Sequence, residues 1–286
     1  MNKLMGAVVC VSMSLCAGCA NRATLPGAAV GDLGSSLATH ADSVPRGAEA
    51  CALEEGFKRQ AGDQKKCAEE DDRDRLWGIS LDVLGGYSRS LVALAQKTDP
   101  AHTGKLEAEM TLVRDENFVD VEGEDEARKA TFELVTQMRE RDDDAKLDSV
   151  IEAAAPSVQT LCDGLLAYLG TQEQRFIALS KDVDTKLQAS PGPPRCTKVG
   201  GQSVCVGNSV LDYLNFAETK ARLDTLTREH AAARNGVAAF CVAHYTVAED
   251  AKAGSLKGKE SYEKVLGAVH DAIPVDSTVA SPAAKE

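Results

Sequence analysis

The cysteines in the second half of the chain are placed symmetrically about a pair of glycines. Cys196 and Cys205 stand at the two ends of a short segment whose centre is Gly200-Gly201. Two glycines between short runs of this kind predict a β-hairpin with a tight turn. Counted outward from the turn, the two cysteines form a non-hydrogen-bonded pair, in which the Cα atoms lie about 4.5 Å apart. That separation suits a disulfide, so the spacing predicts a Cys196–Cys205 bond.

A second pair, Cys162 and Cys241, is centred within one residue of the same point. Partners on the two arms of an antiparallel hairpin share one midpoint, so both pairs fit a single hairpin. The outer bond would join two long helices. Gly164, Ala238 and Ala239 are small enough to allow the close approach that it needs, because helix axes usually lie about 8–10 Å apart.

Apolar residues recur at steps of three and four along most of the chain, which is the pattern of amphipathic helices. The clearest segments flank the hairpin, and they carry Cys162, Leu169, Phe176 and Val183 before it and Leu223, Leu226, Ala233, Val237, Phe240 and Val247 after it. Weaker segments begin near residues 76, 106, 127 and 262, and Pro156 is expected to kink or restart the helix in which it lies. The sequence therefore predicts an all-α fold of about five or six helices. We expect an elongated bundle with two long antiparallel helices joined by a disulfide-closed β-hairpin.

The N-terminus has the features of a bacterial export signal. Met1-Asn2-Lys3 is a short basic start, and the apolar stretch Leu4–Leu15 is too short to span a bilayer. Cys16-Ala17-Gly18-Cys19 then supplies small residues for cleavage. This segment resembles the lipobox of bacterial lipoproteins, which implies that residues 1–18 are removed and that Cys19 carries the lipid. The alternative is an ordinary secretory signal, cut within Gly18-Cys19-Ala20, and a soluble periplasmic protein.

The same resemblance bears on location and on the boundaries of the chain. Ala20, rather than Asp, follows Cys19, which implies anchoring to the outer membrane on its periplasmic face. Residues 19–46 are rich in small residues without a recurring apolar face, so we expect a flexible tether. Residues 47–273 are expected to form a single helical domain, and residues 274–286 a disordered tail.

The cysteine count agrees with export. Of nine cysteines, two lie in the signal and Cys19 takes the lipid, which leaves six. An even number fits an oxidising compartment, in which cysteines pair. Once the two pairs above are assigned, Cys51 and Cys67 remain, and a bond between them would contribute about 3 kcal/mol through loop closure. The alternative is that some of the six are free buried thiols.

The net charge of the chain argues against nucleic acid as a partner. The formal net charge is −12, whereas nucleic-acid binding needs concentrated positive charge. Acidic runs occur at 69–72, 120–126 and 142–144. None has the ligand spacing of a calcium loop, so we interpret them as solvated loops and helix ends, the alternative being weak cation binding or docking to a basic partner. We predict no metal site and no cofactor.

No catalytic motif stands out. A di-iron bundle would require a Glu three positions before a His, and none of the five histidines has one. The chain has 44 acidic residues, and no pattern among them identifies a catalytic pair of carboxylates. His230 and His244 lie on one heptad line, but a separation of about 21 Å along a helix prevents them from sharing a metal ion. We expect them to be core residues that form hydrogen bonds across the bundle.

These observations favour a membrane-anchored, periplasm-facing lipoprotein that acts as a non-catalytic protein-binding or scaffold module of the cell envelope. Its expected contacts are the membrane, through the lipid on Cys19, and another envelope protein. The alternatives are a cell-envelope hydrolase that uses carboxylates and a small-ligand or metal carrier.

Overall fold

The structure is a computed structural model of the chain, and it describes residues 24–37, 46–58, 64–96, 124–139, 146–189, 196–199, 202–205, 208–256 and 258–272. This part of the chain contains seven helices and two short strands. In chain order they are α1 (Thr24–Leu37), α2 (Gly47–Lys58), α3 (Gln64–Gln96), α4 (Glu124–Arg139), α5 (Leu147–Ala189), β1 (Cys196–Val199), β2 (Gln202–Cys205), α6 (Asn208–Lys252) and α7 (Gly258–Ala272).

The two longest helices, α5 and α6, pack against each other and form the centre of the bundle. They have 43 and 45 residues, so each is about 65 Å long. Their buried residues include every residue predicted from the heptad spacing on either side of the hairpin. A disulfide joins Cys162 to Cys241 with a Cα–Cα distance of 5.8 Å. The all-α fold, the long helix pair and this bond are confirmed.

Two short strands lie between the long helices in the chain. β1 and β2 pair antiparallel, with Cys196 opposite Cys205 and Val199 opposite Gln202. The side chains of these strands and the turn at residues 200–201 lie outside the described part of the structure. The Cys196–Cys205 disulfide therefore stays a prediction.

The long helix pair contributes to two separate hydrophobic cores. Helices α1, α3, α4 and α7 pack around the half of the pair that contains the Cys162–Cys241 bond and form what we term the main core. Its largest fully buried side chains include Leu81, Leu84, Tyr87, Leu91, Leu134, Ile151, Leu161, Leu165 and Phe240. The second core lies further along the pair, where α2 contributes Ala50, and comprises Ala50, Phe176, Leu179, Val183, Leu223 and Leu226. Helix α2 is also bonded to α3 by the predicted Cys51–Cys67 disulfide.

The predicted tether at residues 19–46 is wrong over residues 24–37, which form α1 and pack chiefly against α3. Val30 and Leu37 are fully buried in the main core. The small residues that suggested a tether allow the backbones to approach closely. A Cβ on Gly31 would lie 2.2 Å from Val92 Cγ2, and one on Gly34 would lie 2.5 Å from Ser88 Cβ. The helical domain thus begins before residue 47.

Two details of the helix prediction also need correction. The prediction that Pro156 restarts its helix is wrong, because α5 runs from Leu147 to Ala189 through this residue. Pro156 is exposed, so water can hydrate the carbonyl group that loses its backbone donor at this position. Gly164, expected to allow the approach of α6, instead faces α3, since a Cβ there would lie 2.4 Å from Trp77 Cη2.

Several predictions concern residues that lie outside the described part of the structure. They are the signal at 1–18, Cys19, the helix beginning near residue 106, the acidic runs at 120–123 and 142–144, and the tail at 274–286.

Candidate functional site

Helix α2 begins at a partly buried carboxylate that belongs to another helix. Asp74 of α3 accepts hydrogen bonds from the backbone N–H groups of Gly47 and Ala48, both at 2.8 Å. Tyr168 of α5 donates its hydroxyl to the same carboxylate. Burial raises the pKa of Asp74 despite these three donors. Asp74 therefore caps the start of α2, where the first backbone N–H groups have no partner within the helix.

Two carboxylates of α2 reach one arginine on each long helix. Arg175 of α5 donates to Glu54 at 3.0 Å, and Arg222 of α6 donates to Glu49. Although burial opposes it, hydrogen bonds from Arg222 and from Arg46 lower the pKa of Glu49. We refer to Glu49, Glu54, Asp74, Arg175 and Arg222 as the α2 contact cluster. It attaches α2 over the second core.

Two carboxylates, those of Glu70 and Asp74, meet at the start of α2. A Cβ on Gly47 would lie 2.9 Å from Glu70 Oε2 and from the Tyr168 hydroxyl, and 3.0 Å from Asp74 Oδ1. Three oxygens thus surround the Gly47 backbone. Glu70 also receives hydrogen bonds from Gln172 and Arg175. Because these acids already accept protein donors, the arrangement is suited to holding α2 in place.

A histidine–tyrosine pair lies within the main core. His244 Nε2 is 2.8 Å from the Tyr87 hydroxyl, and both side chains are buried. Burial lowers the pKa of His244 to about 4 and raises that of Tyr87. His244 is therefore neutral at pH 7, and its predicted hydrogen bond across the bundle is confirmed.

His230 differs from His244. It is fully buried and packs edge-on against Phe176, with ring centroids 4.7 Å apart. Neither of its ring nitrogens has a hydrogen-bond partner among the described residues, so this part of the structure does not contain the predicted bond across the bundle at His230. Burial, with a smaller contribution from the positive charge of Arg46, lowers its pKa to about 4.

Three potential metal ligands come together at Cys51, Glu55 and Cys67. The two sulfur atoms are already bonded to each other, and metal coordination by cysteine uses the thiolate. In the disulfide form this cluster leaves a single carboxylate as donor, and one carboxylate does not make a metal site.

A groove runs between α5 and α6 in the region of the second core. We term it the stem groove, and its lining residues are Ile177, Ser180, Lys181, Asp184, Asp224, Thr227 and Arg228. Lys220 closes one end by binding Asp184 at 2.9 Å and Asp224 at 3.2 Å. Ile177 is 46 % exposed, which places an aliphatic side chain in contact with solvent beside several charges.

The α2 contact cluster and the stem groove were both missed by sequence reasoning. The sequence offered one signal for them. Phe176 lies on a heptad line, and Arg175 and Ile177 are its two neighbours in the chain. Periodicity identifies the buried Phe176, but it does not say which helix covers the flanking residues. The acidic run at 69–72, interpreted as a solvated loop or helix end, lies within α3, and its Glu70 contacts Arg175.

None of the described helices is long and apolar enough to cross a membrane. Compared with models of known protein families, with curated proteins and with solved structures, the chain matches none.

Proposed function

We propose that this chain is a lipid-anchored protein of the bacterial cell envelope that binds another protein and has no catalytic role. The lipobox-like segment ending at Cys19 supports attachment to the outer membrane on its periplasmic face. The two disulfides support exposure to an oxidising compartment.

The observation that carries the binding role is the long helix pair. α5 and α6 are bonded to each other at Cys162–Cys241, which restricts their relative movement. Ile177 and Tyr245 are large apolar residues that remain 46 % and 57 % exposed on this pair. A stiff surface with exposed anchor residues suits protein recognition, because little order has to be gained on binding.

We also propose that a Cys196–Cys205 disulfide closes the hairpin between the long helices. Its support is the backbone register, which puts the two cysteines directly opposite each other. Peptide mapping without reduction should recover a crosslinked fragment containing both residues. Recovery of either cysteine as an alkylated free thiol would contradict the bond.

An envelope hydrolase remains the second candidate because burial raises the pKa of Asp74, as in general acids. The contacts of Asp74 favour a structural role instead, since its carboxylate accepts donors from Gly47, Ala48 and Tyr168. Activity on peptidoglycan fragments that is abolished by Asp74→Asn, in a variant that still folds, would favour the enzyme.

In-cell crosslinking tests the binding role most directly. A photoreactive amino acid would replace Ile177, Leu214 or Tyr245, three exposed positions on the long helices, or Lys129, an exposed position on α4 that serves as the control. We expect one dominant envelope protein to be captured from at least one test position and not from the control. Diffuse capture of abundant proteins from every position would contradict the proposal.

A further inference from the structure

We propose that the stem groove binds an acidic amphipathic helix of the partner protein. This inference rests on the proposed function and specifies the chemistry of the partner. It is carried by the position of the groove, by its unpaired positive charges and by the way in which α2 binds the other side of the same helix pair.

The stem groove and α2 lie on opposite sides of α5. Phe176 points into the second core and is fully buried. Successive residues of a helix are turned by about 100°, so Arg175 and Ile177 flank Phe176 on opposite sides. Arg175 contacts Glu54 of α2, whereas Ile177 lines the groove. The groove is therefore a second helix-packing surface on this pair, and α2 does not cover it.

The free charge of the groove is positive. Lys181 of α5 and Arg228 of α6 are exposed, and neither forms an ion pair within the described part of the chain. The two acidic residues of the groove, Asp184 and Asp224, are both bound by Lys220. In a chain with a net charge of −12, two unpaired cations beside exposed Ile177 favour a partner that is apolar at its centre and acidic at its edges.

Helix α2 shows how such a partner packs on the long helix pair. It buries Ala50 in the second core, and its Glu54 and Glu49 contact Arg175 of α5 and Arg222 of α6. One cation from each long helix thus receives one carboxylate of the bound helix. The groove repeats this arrangement, with Lys181 supplied by α5 and Arg228 by α6 around Ile177. A third helix also fits the space between two antiparallel helices, where its side chains enter the groove.

A second copy of the chain is a poorer occupant of the groove. Two grooves placed face to face would pair one exposed isoleucine with another and bring the unpaired cations of both copies into the same interface.

The test uses purified full-length protein and a fluorescein-labelled synthetic helix with leucine along one face and glutamate at both edges. Fluorescence anisotropy should show binding that weakens at least about tenfold in Ile177→Asp and in the double variant Lys181→Glu, Arg228→Glu. Lys129→Glu on α4 makes the same kind of charge change on an exposed surface and should leave binding unchanged. A peptide with lysine in place of glutamate should bind the double variant and not the original protein.

Other outcomes overturn the groove assignment. Absence of peptide binding would do so, and so would binding that is lost in Arg222→Glu but kept in the groove variants, since the peptide would then compete with α2. Sedimentation that shows a dimer disrupted by Ile177→Asp would assign the groove to a second copy. Ile177, Lys181 and Arg228 are exposed, so their variants should remain folded. Thermal unfolding temperatures equal to that of the original protein would verify this.

The in-cell crosslinks separate failure of this inference from failure of the proposed function. A partner captured from Ile177 and lost in the double variant supports both. A partner captured only from Tyr245 keeps the proposed function and overturns the groove assignment. Capture of no partner at any position overturns the proposed function itself.

Discussion

At the scale of single residues, two glycines and two histidines have different structural roles although their residue types are the same. Gly34 and Gly170 both lie within helices, but a Cβ would meet Ser88 and Phe240 at the first and open space at the second. His230 and His244 are both buried, but only the second forms a hydrogen bond in the described structure. In each pair the neighbouring helix decides the role.

Replacing Gly34 by Ala should destabilise the protein by about 1–3 kcal/mol, because the added methyl group would lie 2.8 Å from Phe240 Cε2. The matched change Gly170→Ala should be neutral or stabilise by up to about 1 kcal/mol, since Ala has the higher helix propensity. Urea unfolding of both variants measures the difference. Equal stability of Gly34→Ala and the original protein would contradict the packing of α1 against α3 and α6.

The buried histidines should make stability depend on pH. The unfolded chain takes up their protons near the ordinary pKa of 6.5, whereas burial lowers the folded pKa of His230 and His244 to about 4. The unfolded state therefore binds more protons between these values, and the folded state loses stability as the pH falls from 7 towards 4. The slope is at most about 1.4 kcal/mol per pH unit for each histidine.

Leucine substitutions should distinguish the contributions of the two histidines to stability. His230→Leu breaks no hydrogen bond within the described structure, so the free energy of unfolding at pH 7 should change by less than about 1 kcal/mol while the pH dependence weakens. His244→Leu leaves the buried Tyr87 hydroxyl without its partner and should cost about 1–3 kcal/mol. Chemical unfolding at pH 7 and pH 5 tests both. A large loss in His230→Leu at pH 7 would show that His230 has a stabilising partner.

At the scale of helices, apolar packing, disulfides and ion pairs hold the elements together. The long helices α5 and α6 meet through heptad-spaced apolar residues, which periodicity predicts. Helix α2 is held by a disulfide to α3 and by ion pairs from Glu54 to Arg175 and from Glu49 to Arg222. Many charged residues in this sequence could have formed such pairs, so the particular choice could not be predicted.

The two disulfides of the described structure should contribute unequally to stability. Cys162–Cys241 spans 79 residues and Cys51–Cys67 spans 16, and the longer loop loses more entropy in the unfolded chain when it is closed. The chain-entropy model gives about 4.5 and about 3 kcal/mol. Urea unfolding of the two Cys-to-Ala pairs compares them. A larger loss for the Cys51–Cys67 pair would show that strain or residual structure outweighs loop length.

Removal of the Cys51–Cys67 bond should also act locally. Amide hydrogen exchange in α2 should rise, because the remaining attachments are the ion pairs, the cap at Asp74 and the burial of Ala50 in the second core. Exchange around the Cys162–Cys241 bond should stay slow. Equal acceleration in both regions would indicate that the helices unfold as one unit.

At the scale of the whole molecule, the described helices form two cores on one long helix pair. Four helices surround the pair at the main core, whereas at the second core α2 covers one side and the stem groove lies on the other. The proposed binding surface therefore lies on a side of the pair that is lined by no other described helix.

Membrane attachment also belongs to this scale. We predict that Cys19→Ser moves the protein from the membrane fraction to the soluble fraction, because the lipid is its proposed anchor. Cys16→Ser, a matched change three residues earlier, should leave the protein in the membrane fraction. Fractionation followed by immunoblotting distinguishes the two. Retention of Cys19→Ser in the membrane would exclude the lipid on Cys19 as the anchor.

The sequence by itself determined the long helix pair and the Cys162–Cys241 bond, because side-chain periodicity is a local property and these two cysteines share a midpoint with the predicted hairpin. Only the tertiary structure decided that residues 24–37 are a packed helix, since small residues are equally common in tethers and at close helix contacts. It also decided that α2 covers one side of the long pair and that, among the described helices, none covers the stem groove on the other side. Those outcomes depend on which helix faces pack against each other, and the pattern of a single sequence does not specify these pairings.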